Sequence, residues 1–422
     1  MIKKITTILA VLSSSLMASA QTGNESKITD ELSNKEEIIA WPESMTDTAD
    51  QLMLTWQAKH YLYTGENENS ADSIPSYTPV EVQNRLHRLP TVMDMSYNNI
   101  VQECIDKYVQ QQRGVVAIML SAGNYYIPLF EEILDRSGLP LELKYLPVVE
   151  SSLNPLSVNK SGAKGLWHLP LAIAQRYHLE INSLVDERLD PYKSTIAASQ
   201  YLKDLYNIFK DWNLALAAYH CEPSSINKAI HRADGKKDYW AIYPQLAKED
   251  RGYVPAFIAA NYIMNYYCEH NITPLKSRMP IKTDTVMVNR NLHMQQIATF
   301  CNISMEDIKA MNPQYTTEII PGASKPRALR MPFDKILTFI DRKDSIYNYR
   351  KDELLTKKAI TPVDTKEVAK AKEASRAKYI TVRRGDTLGA IARRNHTTVK
   401  TIKRLNGMRS DRISQGKRLR VR

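Results

Sequence analysis

Residues 139–155 read LPLELKYLPVVESSLNP, and their pattern indicates a helix. Its apolar residues recur at helical spacing, and Pro140 stands where the first turn of a helix tolerates proline. The pair Asn154 and Pro155 predicts the end of the helix, because proline disfavours the α conformation in the residue before it. Glu150 follows two valines near that end. The sequence therefore predicts a helix that holds a carboxyl group against apolar neighbours.

Helical patterns continue on both sides of this stretch. Apolar residues recur at helical spacing from residue 82 onward, and the runs 212–219 and 253–267 are rich in alanine, tyrosine and isoleucine. Alternating strand patterns are rare here, so we predict a mainly α domain over residues 81–275. Residues 21–80 are polar and acidic, and we predict a mobile arm with one helix near residues 50–60.

The N-terminus has the features of a secretory signal peptide. Lys3 and Lys4 precede a mainly apolar stretch at residues 5–17, which is too short to span a membrane comfortably. The small-x-small sequence at residues 18–20 is typical of a cleavage site, so residues 1–20 are predicted to be removed. An uncleaved anchor is the weaker alternative. We expect an exported protein of the periplasm or cell envelope, and peripheral association with a membrane or the envelope stays open.

Four cysteines stand at positions 104, 221, 268 and 301, too widely spaced for a zinc pattern. Export permits disulfides, so a bridge between Cys221 and Cys268 stays open, but buried free thiols are the simpler expectation. Neither this spacing nor another motif indicates a metal or a cofactor, and we predict none.

The C-terminal third contains a weak internal repeat. Matched positions recur with a shift of 94 residues, and they are Met294 and Leu388, Ile297 and Ile391, Ala298 and Ala392, Ile308 and Ile402, Asn312 and Asn406, and Gly322 and Gly416. We therefore predict a degenerate module at residues 280–335, a charged linker at residues 336–378 and a complete module at residues 379–422. The complete module holds 13 Lys and Arg against 2 Asp, a surplus equal to the +11 of the whole chain. Such a basic module favours a polyanionic partner, and export argues against nucleic acid.

The last module has a β-α-α-β pattern. A short strand begins at Tyr379, Thr387 and Thr398 are placed to cap two helices, and residues 413–421 return as a strand. The run Tyr-x-Val-x-x-Gly-Asp-Thr-Leu, followed by Ile-Ala and then Ile-x-x-x-Asn-Gly, resembles a LysM domain throughout its length. The resemblance implies binding of glycans that contain N-acetylglucosamine. The residues that it implies for this groove are Gly385, Asp386, Thr387, Leu388 and Ile413.

Glu150 is the candidate for acid–base chemistry. Its neighbours Val148 and Val149 are apolar, and desolvation by such neighbours raises the pKa of a carboxyl group toward the range that a general acid needs. The sequences Gly-Ala-x-Gly-Leu-Trp at residues 162–167 and Ala-Ala-Tyr at residues 217–219 follow it. Together these motifs resemble the soluble lytic transglycosylase family, in the membrane-bound type D form that joins a goose-lysozyme-like domain to LysM modules.

That resemblance implies a defined chemistry on the glycan strands of peptidoglycan. Glu150 would protonate the β-1,4 bond between N-acetylmuramic acid and N-acetylglucosamine and then deprotonate the sugar's 6-hydroxyl, which leaves a 1,6-anhydro end. No partner carboxylate stands out near Glu150, unlike the paired carboxylates of many glycosidases. The residues that the resemblance implies for substrate binding are Ser151, Asn159, Gly165, Trp167, His168, Tyr219 and His220.

Three positions depart from the family pattern. His168 stands where the family has glutamine, His220 where it has asparagine, and Glu222 where it has glycine. Neutral histidine offers a donor and an acceptor, as an amide does, but with a different reach. Trp167 is expected either to pack against a sugar face or to lie in the core. The alternatives to a lytic transglycosylase are therefore a non-catalytic peptidoglycan-binding scaffold on the same fold and a hydrolytic muramidase.

Overall fold

The computed structural model describes residues 25–30, 35–46, 74–277, 279–280, 282–376 and 378–421. The predicted signal peptide and the helix expected near residues 50–60 lie outside these described residues. The chain divides into two compact units, of which the first is residues 1–153 with 201–277 and the second is residues 154–200 with 278–422.

Helices dominate the described residues, which confirms the predicted mainly α fold. The α-helices are α1 Pro79–Arg88, α2 Asn99–Asp106, α3 Arg113–Ser137, α4 Leu146–Ser151, α5 Leu171–Arg176, α6 Pro191–Phe209, α7 Trp212–Cys221, α8 Pro223–Arg232, α9 Tyr239–Ile242, α10 Lys248–Arg251, α11 Tyr253–Tyr266, α12 Met294–Cys301, α13 Met305–Met311, α14 Phe333–Asp341, α15 Lys343–Asn348, α16 Lys351–Leu354, α17 Lys357–Ile360, α18 Lys366–Arg376, α19 Leu388–Arg394 and α20 Val399–Leu405. The strands are β1 Glu25–Asp30, β2 Lys35–Ala40, β3 Thr283–Val288, β4 Asn291–His293, β5 Ile319–Pro321, β6 Arg327–Pro332, β7 Tyr379–Thr381 and β8 Arg418–Arg420. Single turns of 3-10 helix cover Glu43–Thr46, Leu141–Tyr145 and Tyr243–Gln245, and a π-helical turn covers Lys107–Gln111. Within the described part of the chain, no helix combines the length and the apolar character needed to cross a membrane.

Helix α11 forms the centre of the first unit. The residues from Tyr253 to Met264 are all buried, whichever side of the helix they face. A helix that is mostly apolar all round has no face suited to water, so other elements must enclose it. Helices α2, α4 and α7 pack against it. The apolar run in α11 therefore positions α4, the helix that contains Glu150.

The prediction of a mobile arm is wrong for the described residues 25–30 and 35–46. Strands β1 and β2 pair in antiparallel fashion, with Glu25 opposite Ala40. In the segment that follows, Trp41 is 7% and Met45 1% exposed, so both side chains are buried. Burying a large apolar side chain contributes about 2 kcal/mol to the free energy of unfolding. The polar composition of this segment concealed a few apolar anchors that hold it in place.

Residues 282–348 form a module with its own core in the second unit. Strand β3 pairs with β6 and β4 with β5, and both pairs are antiparallel. The buried side chains of Phe339, Ile346 and Tyr347 belong to this core, as does Val185 from the sequence far upstream. The predicted linker therefore starts too early at residue 336, because the apolar residues of α14 and α15 complete the module.

Ion pairs join residues 180–187 to this module. The guanidinium of Arg327 is 2.8 Å from the carboxylate of Glu180 and 3.3 Å from that of Glu187. Burial by itself would raise the pKa of Glu180, but hydrogen bonds from Arg327 and Lys325 lower it to about 2. Glu180 therefore stays charged at neutral pH, and its pairs with Arg327 and Lys325 compensate for the loss of water around it.

The internal repeat is a structural repeat. Asn312 and Asn406 each follow the second helix of their module. In both copies the side-chain amide donates to a carbonyl oxygen of the return strand at 2.7 Å and accepts from the N–H of the same residue at 2.8 Å. These strand residues are Arg330 and Arg420. The same asparagine thus ties helix to strand in both modules, which supports the predicted repeat.

The C-terminal module is the predicted β-α-α-β unit. Strands β7 and β8 are antiparallel, with Tyr379 opposite Arg420. The side chains of Thr387 and Thr398 accept hydrogen bonds from backbone N–H groups and cap α19 and α20 as predicted. The return strand is shorter than predicted, since it covers only Arg418–Arg420.

All four cysteines are free thiols. Cys104 and Cys301 are buried, Cys221 is half-buried and Cys268 is exposed, so the expectation of burial holds for two of the four. Burial raises the pKa of the Cys104 thiol well above its usual value, which keeps it protonated. Among the described residues, no group of three or more His, Cys, Asp and Glu side chains is placed to hold a metal ion.

Candidate active site

Helix α4 ends one residue after Glu150. The predicted continuous helix over residues 140–154 is wrong, because residues 141–145 form a 3-10 turn and α4 covers only Leu146–Ser151. Ser152 adopts the left-handed conformation with a φ of 50° and closes the helix. Glu150 therefore lies at the C-terminal end of a short helix, where it is half-buried.

The segment 41–46 supports this helix. The hydroxyl of Ser44 donates a hydrogen bond to the carbonyl oxygen of Val149, and the side-chain amide of Gln112 donates to the carbonyl oxygen of Met45 at 2.6 Å. Both contacts are buried, where leaving a polar group without its partner would cost about 1–3 kcal/mol. Sequence reasoning missed this support, since nothing in a polar segment signals a contact 105 residues away.

Two tyrosines lie near the carboxyl group of Glu150. The hydroxyl of Tyr253 donates a hydrogen bond to Oε1 of Glu150. Burial, together with the negative charge of Glu150, raises the pKa of Tyr253 and of Tyr219 well above the usual value. Both phenols are therefore protonated at neutral pH, and Tyr253 can act as a donor. The Ala-Ala-Tyr motif pointed to Tyr219, whereas Tyr253 was missed because it begins an apolar run without a motif.

His220 stacks on the ring of Tyr253. The ring centroids are 4.3 Å apart and the ring planes differ by 18°. Its Nε2 atom lies 3.6 Å from Oδ1 of Asp250. Burial raises the pKa of Asp250, and the nearby His220 opposes that shift. Glu150, Tyr253, His220 and Asp250 thus form a connected cluster in the first unit, and sequence reasoning had not singled out Asp250.

Asn159 and His168 shape a loop of the second unit. Oδ1 of Asn159 accepts hydrogen bonds from the backbone N–H groups of Ser161 and Ala163 at 3.0 and 2.9 Å, which closes a turn. His168 is 7% exposed, and its Nε2 atom lies 2.8 Å from the hydroxyl of Ser157. These contacts give both side chains a role in the loop, and their contact with substrate stays a prediction.

Trp167 and Ser151 lie in the core. The side chain of Trp167 is fully buried, and its Nε1 donates to the hydroxyl of Thr195 at 2.8 Å. Its predicted contact with a sugar face is therefore wrong, and the alternative of core packing holds. Ser151 is 3% exposed, and its hydroxyl donates to the carbonyl oxygen of Pro147 at 3.1 Å. Its predicted contact with substrate is wrong for the same reason, because its hydroxyl is satisfied one turn earlier in the helix.

Gly165 is required by packing. Its φ is +83°, and a Cβ atom at this position would lie 2.1 Å from the carbonyl oxygen of Arg188. The side chain of Arg188 is fully buried and pairs with Asp186 at 2.8 Å and with Glu367 at 2.9 Å. These pairs hold the backbone at residue 188 in place, so it cannot move aside. The predicted substrate role of Gly165 is thus replaced by a structural one.

Glu222 holds a backbone conformation suited to glycine. It joins α7 to α8 with a φ of 74° and a ψ of 144°. An L-residue in this region is strained by about 1–3 kcal/mol. The turn explains why the family has glycine at this position, and the glutamate retains the turn at the cost of strain.

We expect Glu222→Gly to raise the free energy of unfolding by about 1 kcal/mol, because glycine adopts this conformation without steric conflict. Urea denaturation of the two proteins measures the difference. Ser224→Gly is the matched control, since Ser224 is an exposed residue within α8, where glycine should destabilise the protein by about 0.5–1 kcal/mol. Equal stability of Glu222→Gly and the wild type would contradict the strain.

The residues predicted for the LysM groove divide between a turn and the core. Asp386 accepts a hydrogen bond from the N–H of Arg383 at 2.9 Å, and this bond and Arg394 hold the pKa of Asp386 below its usual value. Gly385 completes the turn with a φ of +84°. Leu388 is 3% exposed and belongs to the core of the module, so its predicted place in the groove is wrong.

Thr387 and Ile413 are at least partly exposed to solvent. Thr387 is exposed and caps α19, and Ile413 packs partly buried against the core of the module. Glycan contact therefore stays a prediction for these two residues and for the turn at Gly385 and Asp386.

Three known families match the chain. The family described as "Transglycosylase SLT domain" covers residues 129–242, which include Glu150 and the motif at residues 217–219. Residues 129–242 therefore form a transglycosylase SLT domain. The family described as "Lytic transglycosylase MltD, LysM-like domain" covers residues 282–348, and "LysM domain" covers residues 380–422. The predicted combination of a lysozyme-like helical domain with LysM modules is thereby confirmed.

Two curated lytic transglycosylases resemble the chain over different lengths. The Membrane-bound lytic murein transglycosylase D of Escherichia coli (strain K12) is 27% identical over 338 residues, which are 78% of this chain and 70% of that protein. The Membrane-bound lytic murein transglycosylase F of Maricaulis maris (strain MCS10) is 33% identical over 129 residues, which are 27% of this chain and 26% of that protein. The first match spans the SLT domain and continues well beyond it.

Proposed function

We propose that this lytic transglycosylase cleaves the β-1,4 bond between N-acetylmuramic acid and N-acetylglucosamine in peptidoglycan, with Glu150 as both acid and base. The proposal is carried by the half-buried carboxyl group of Glu150 inside the SLT domain, one oxygen of which accepts a hydrogen bond from Tyr253. A single carboxyl group held in one orientation can serve two proton transfers in turn.

In the first step the protonated carboxyl group of Glu150 gives its proton to the glycosidic oxygen, and the bond from this oxygen to C1 of the muramic acid breaks. The acetamido oxygen of the muramic acid stabilises the positive charge that develops at C1. The N-acetylglucosamine leaves with a new hydroxyl group, and Glu150 is left as a carboxylate.

In the second step the carboxylate of Glu150 accepts the proton of the 6-hydroxyl of the muramic acid. O6 then attacks C1 and displaces the acetamido oxygen, which forms the 1,6-anhydro ring without consuming water. Between the two steps the phenol of Tyr253, which is protonated at neutral pH, stabilises the carboxylate through a charge-assisted hydrogen bond. Glu150 ends the cycle protonated and ready for the next bond.

In this proposal the C-terminal LysM domain binds the glycan strands. Its positive surplus suits peptidoglycan, which carries carboxylates on its peptides. Gly385 and Thr387 in its turn are exposed, so a sugar can reach their backbone groups. Together with the predicted signal peptide, these features favour work in the periplasm or cell envelope.

A non-catalytic peptidoglycan-binding scaffold is the second candidate. It is favoured by the buried His168, which stands where the family has glutamine, and by the strained Glu222, which stands where it has glycine. Both changes lie at positions where the family pattern shapes the site.

Incubating the purified full-length protein with murein sacculi and identifying the released fragments by mass spectrometry tests the proposal. We expect fragments with 1,6-anhydro ends and none from heat-denatured protein. Fragments with reducing ends would replace the proposal with a hydrolytic muramidase. Binding of sacculi without any release would favour the scaffold.

A further inference from the structure

The orientation of the Tyr253 ring sets the direction of the hydroxyl that donates to Oε1 of Glu150. Tyr253 is the first residue of α11, where the preceding residues Gly252 and Arg251 leave the short helix α10. A ring at the start of a helix has fewer neighbours along its own helix than one in the middle. Contacts from other elements must therefore fix the direction in which its hydroxyl points.

One such contact is His220, which covers a face of the ring from the end of α7. The centroid distance of 4.3 Å and the angle of 18° between the rings describe close, nearly parallel stacking. Aromatic pairs of this kind are worth about 0.5–1.5 kcal/mol beyond the area that they bury. The imidazole therefore restricts the tilt of the Tyr253 ring.

The carboxyl group of Asp250 lies beside the imidazole. Nε2 of His220 lies 3.6 Å from Oδ1 of Asp250, and both side chains are only partly exposed, at 32% and 21%. Asp250 belongs to α10, which directly precedes α11. The thiol of Cys221, the next residue along α7, also interacts with this carboxyl group. The three groups connect the end of α7 to the start of α11 on the side of the Tyr253 ring.

We infer that His220 and Asp250 are positioning residues that hold Tyr253 against Glu150, so His220 acts through Tyr253 rather than as a ligand of the sugar. This inference rests on the proposed function. It also gives a physical reason why a histidine can replace the asparagine of the family, since the imidazole both stacks on Tyr253 and lies beside Asp250.

Kinetics on soluble glycan strands from purified peptidoglycan test this inference with three variants. We expect His220→Ala to lower kcat about tenfold with KM little changed, because a small misplacement of a positioned group slows chemistry without weakening binding. His220→Phe, which keeps the stacking, should recover most of that kcat, and Asp250→Asn should fall between the two. His231→Ala is the matched control, since His231 is exposed on α8. A KM raised about tenfold at unchanged kcat in His220→Ala would make His220 a sugar ligand and overturn the inference.

A spectroscopic measurement separates this inference from the proposed function. In protein with 13C-labelled tyrosine, the resonance of Tyr253 is assigned by its loss in Tyr253→Phe. We expect it to shift in His220→Ala and to stay in place in His231→Ala, whether or not the protein releases anhydro fragments. An unmoved resonance in a folded His220→Ala protein would refute the positioning role even if the wild type is an active transglycosylase.

Discussion

Glu150→Gln lowers the release of 1,6-anhydro fragments by at least about a thousandfold, if Glu150 supplies both proton transfers. The amide has nearly the same shape as the carboxyl group, and its oxygen can still accept the hydrogen bond from Tyr253. It can neither donate an acidic proton to the glycosidic oxygen nor take one from the 6-hydroxyl. The fold and the binding of sacculi should therefore persist while the chemistry stops. Mass spectrometry of fragments and a sacculus pull-down measure the two properties separately.

Glu132→Gln is the matched control for this variant. Its side chain is 51% exposed on α3, where it pairs with Arg136 one turn away. An exposed pair of this kind contributes at most about 0.5 kcal/mol, so neither stability nor activity should change measurably. Glu150→Gln protein that releases anhydro fragments at more than about a tenth of the wild-type rate would remove Glu150 from the mechanism.

Gly165→Ala should destabilise the protein by about 3 kcal/mol or more, through a steric conflict that cannot relax. The new Cβ would lie 2.1 Å from the carbonyl oxygen of Arg188, far inside van der Waals contact. The ion pairs of the buried Arg188 with Asp186 and Glu367 resist the movement that would relieve it. Urea denaturation, followed by circular dichroism, measures the loss.

Gly162→Ala separates this collision from the cost of the backbone conformation. Gly162 has a φ of +84°, almost equal to the +83° of Gly165, but no atom lies within 4 Å of its added Cβ. It should cost only about 1 kcal/mol, the penalty of a left-handed alanine. Equal losses for the two variants would show that the carbonyl oxygen of Arg188 gives way.

Local sequence pattern was sufficient to predict those features of the protein that depend on residue type and spacing. The caps at Thr387 and Thr398 depend on residues within a few positions of each other. The repeat of Asn312 and Asn406 could also be found, because the same residue types recur at a constant shift of 94 along the sequence. In each case the signal lies in residue type and spacing.

The solvent exposure of individual side chains could not be predicted from local sequence pattern. Trp167 and Ser151 matched the family motif, but motif membership does not say whether a side chain faces the solvent or the core. Trp167 is enclosed and bonded to Thr195, which lies 28 residues further along the chain. Whether such a ring is enclosed depends on elements distant in sequence, which a local pattern does not describe.

The helical class, the order of the modules and the two capped helices of the last module could be predicted from spacing and residue type, and the motif resemblance proposed Glu150. What surrounds the carboxyl group of Glu150 depends on tertiary packing. Tyr253 reaches Glu150 across 103 residues of chain, and Ser44 supports its helix across 105. Contacts between residues so far apart are set by how the helices pack around α11, and packing is a property of the whole unit rather than of any one segment.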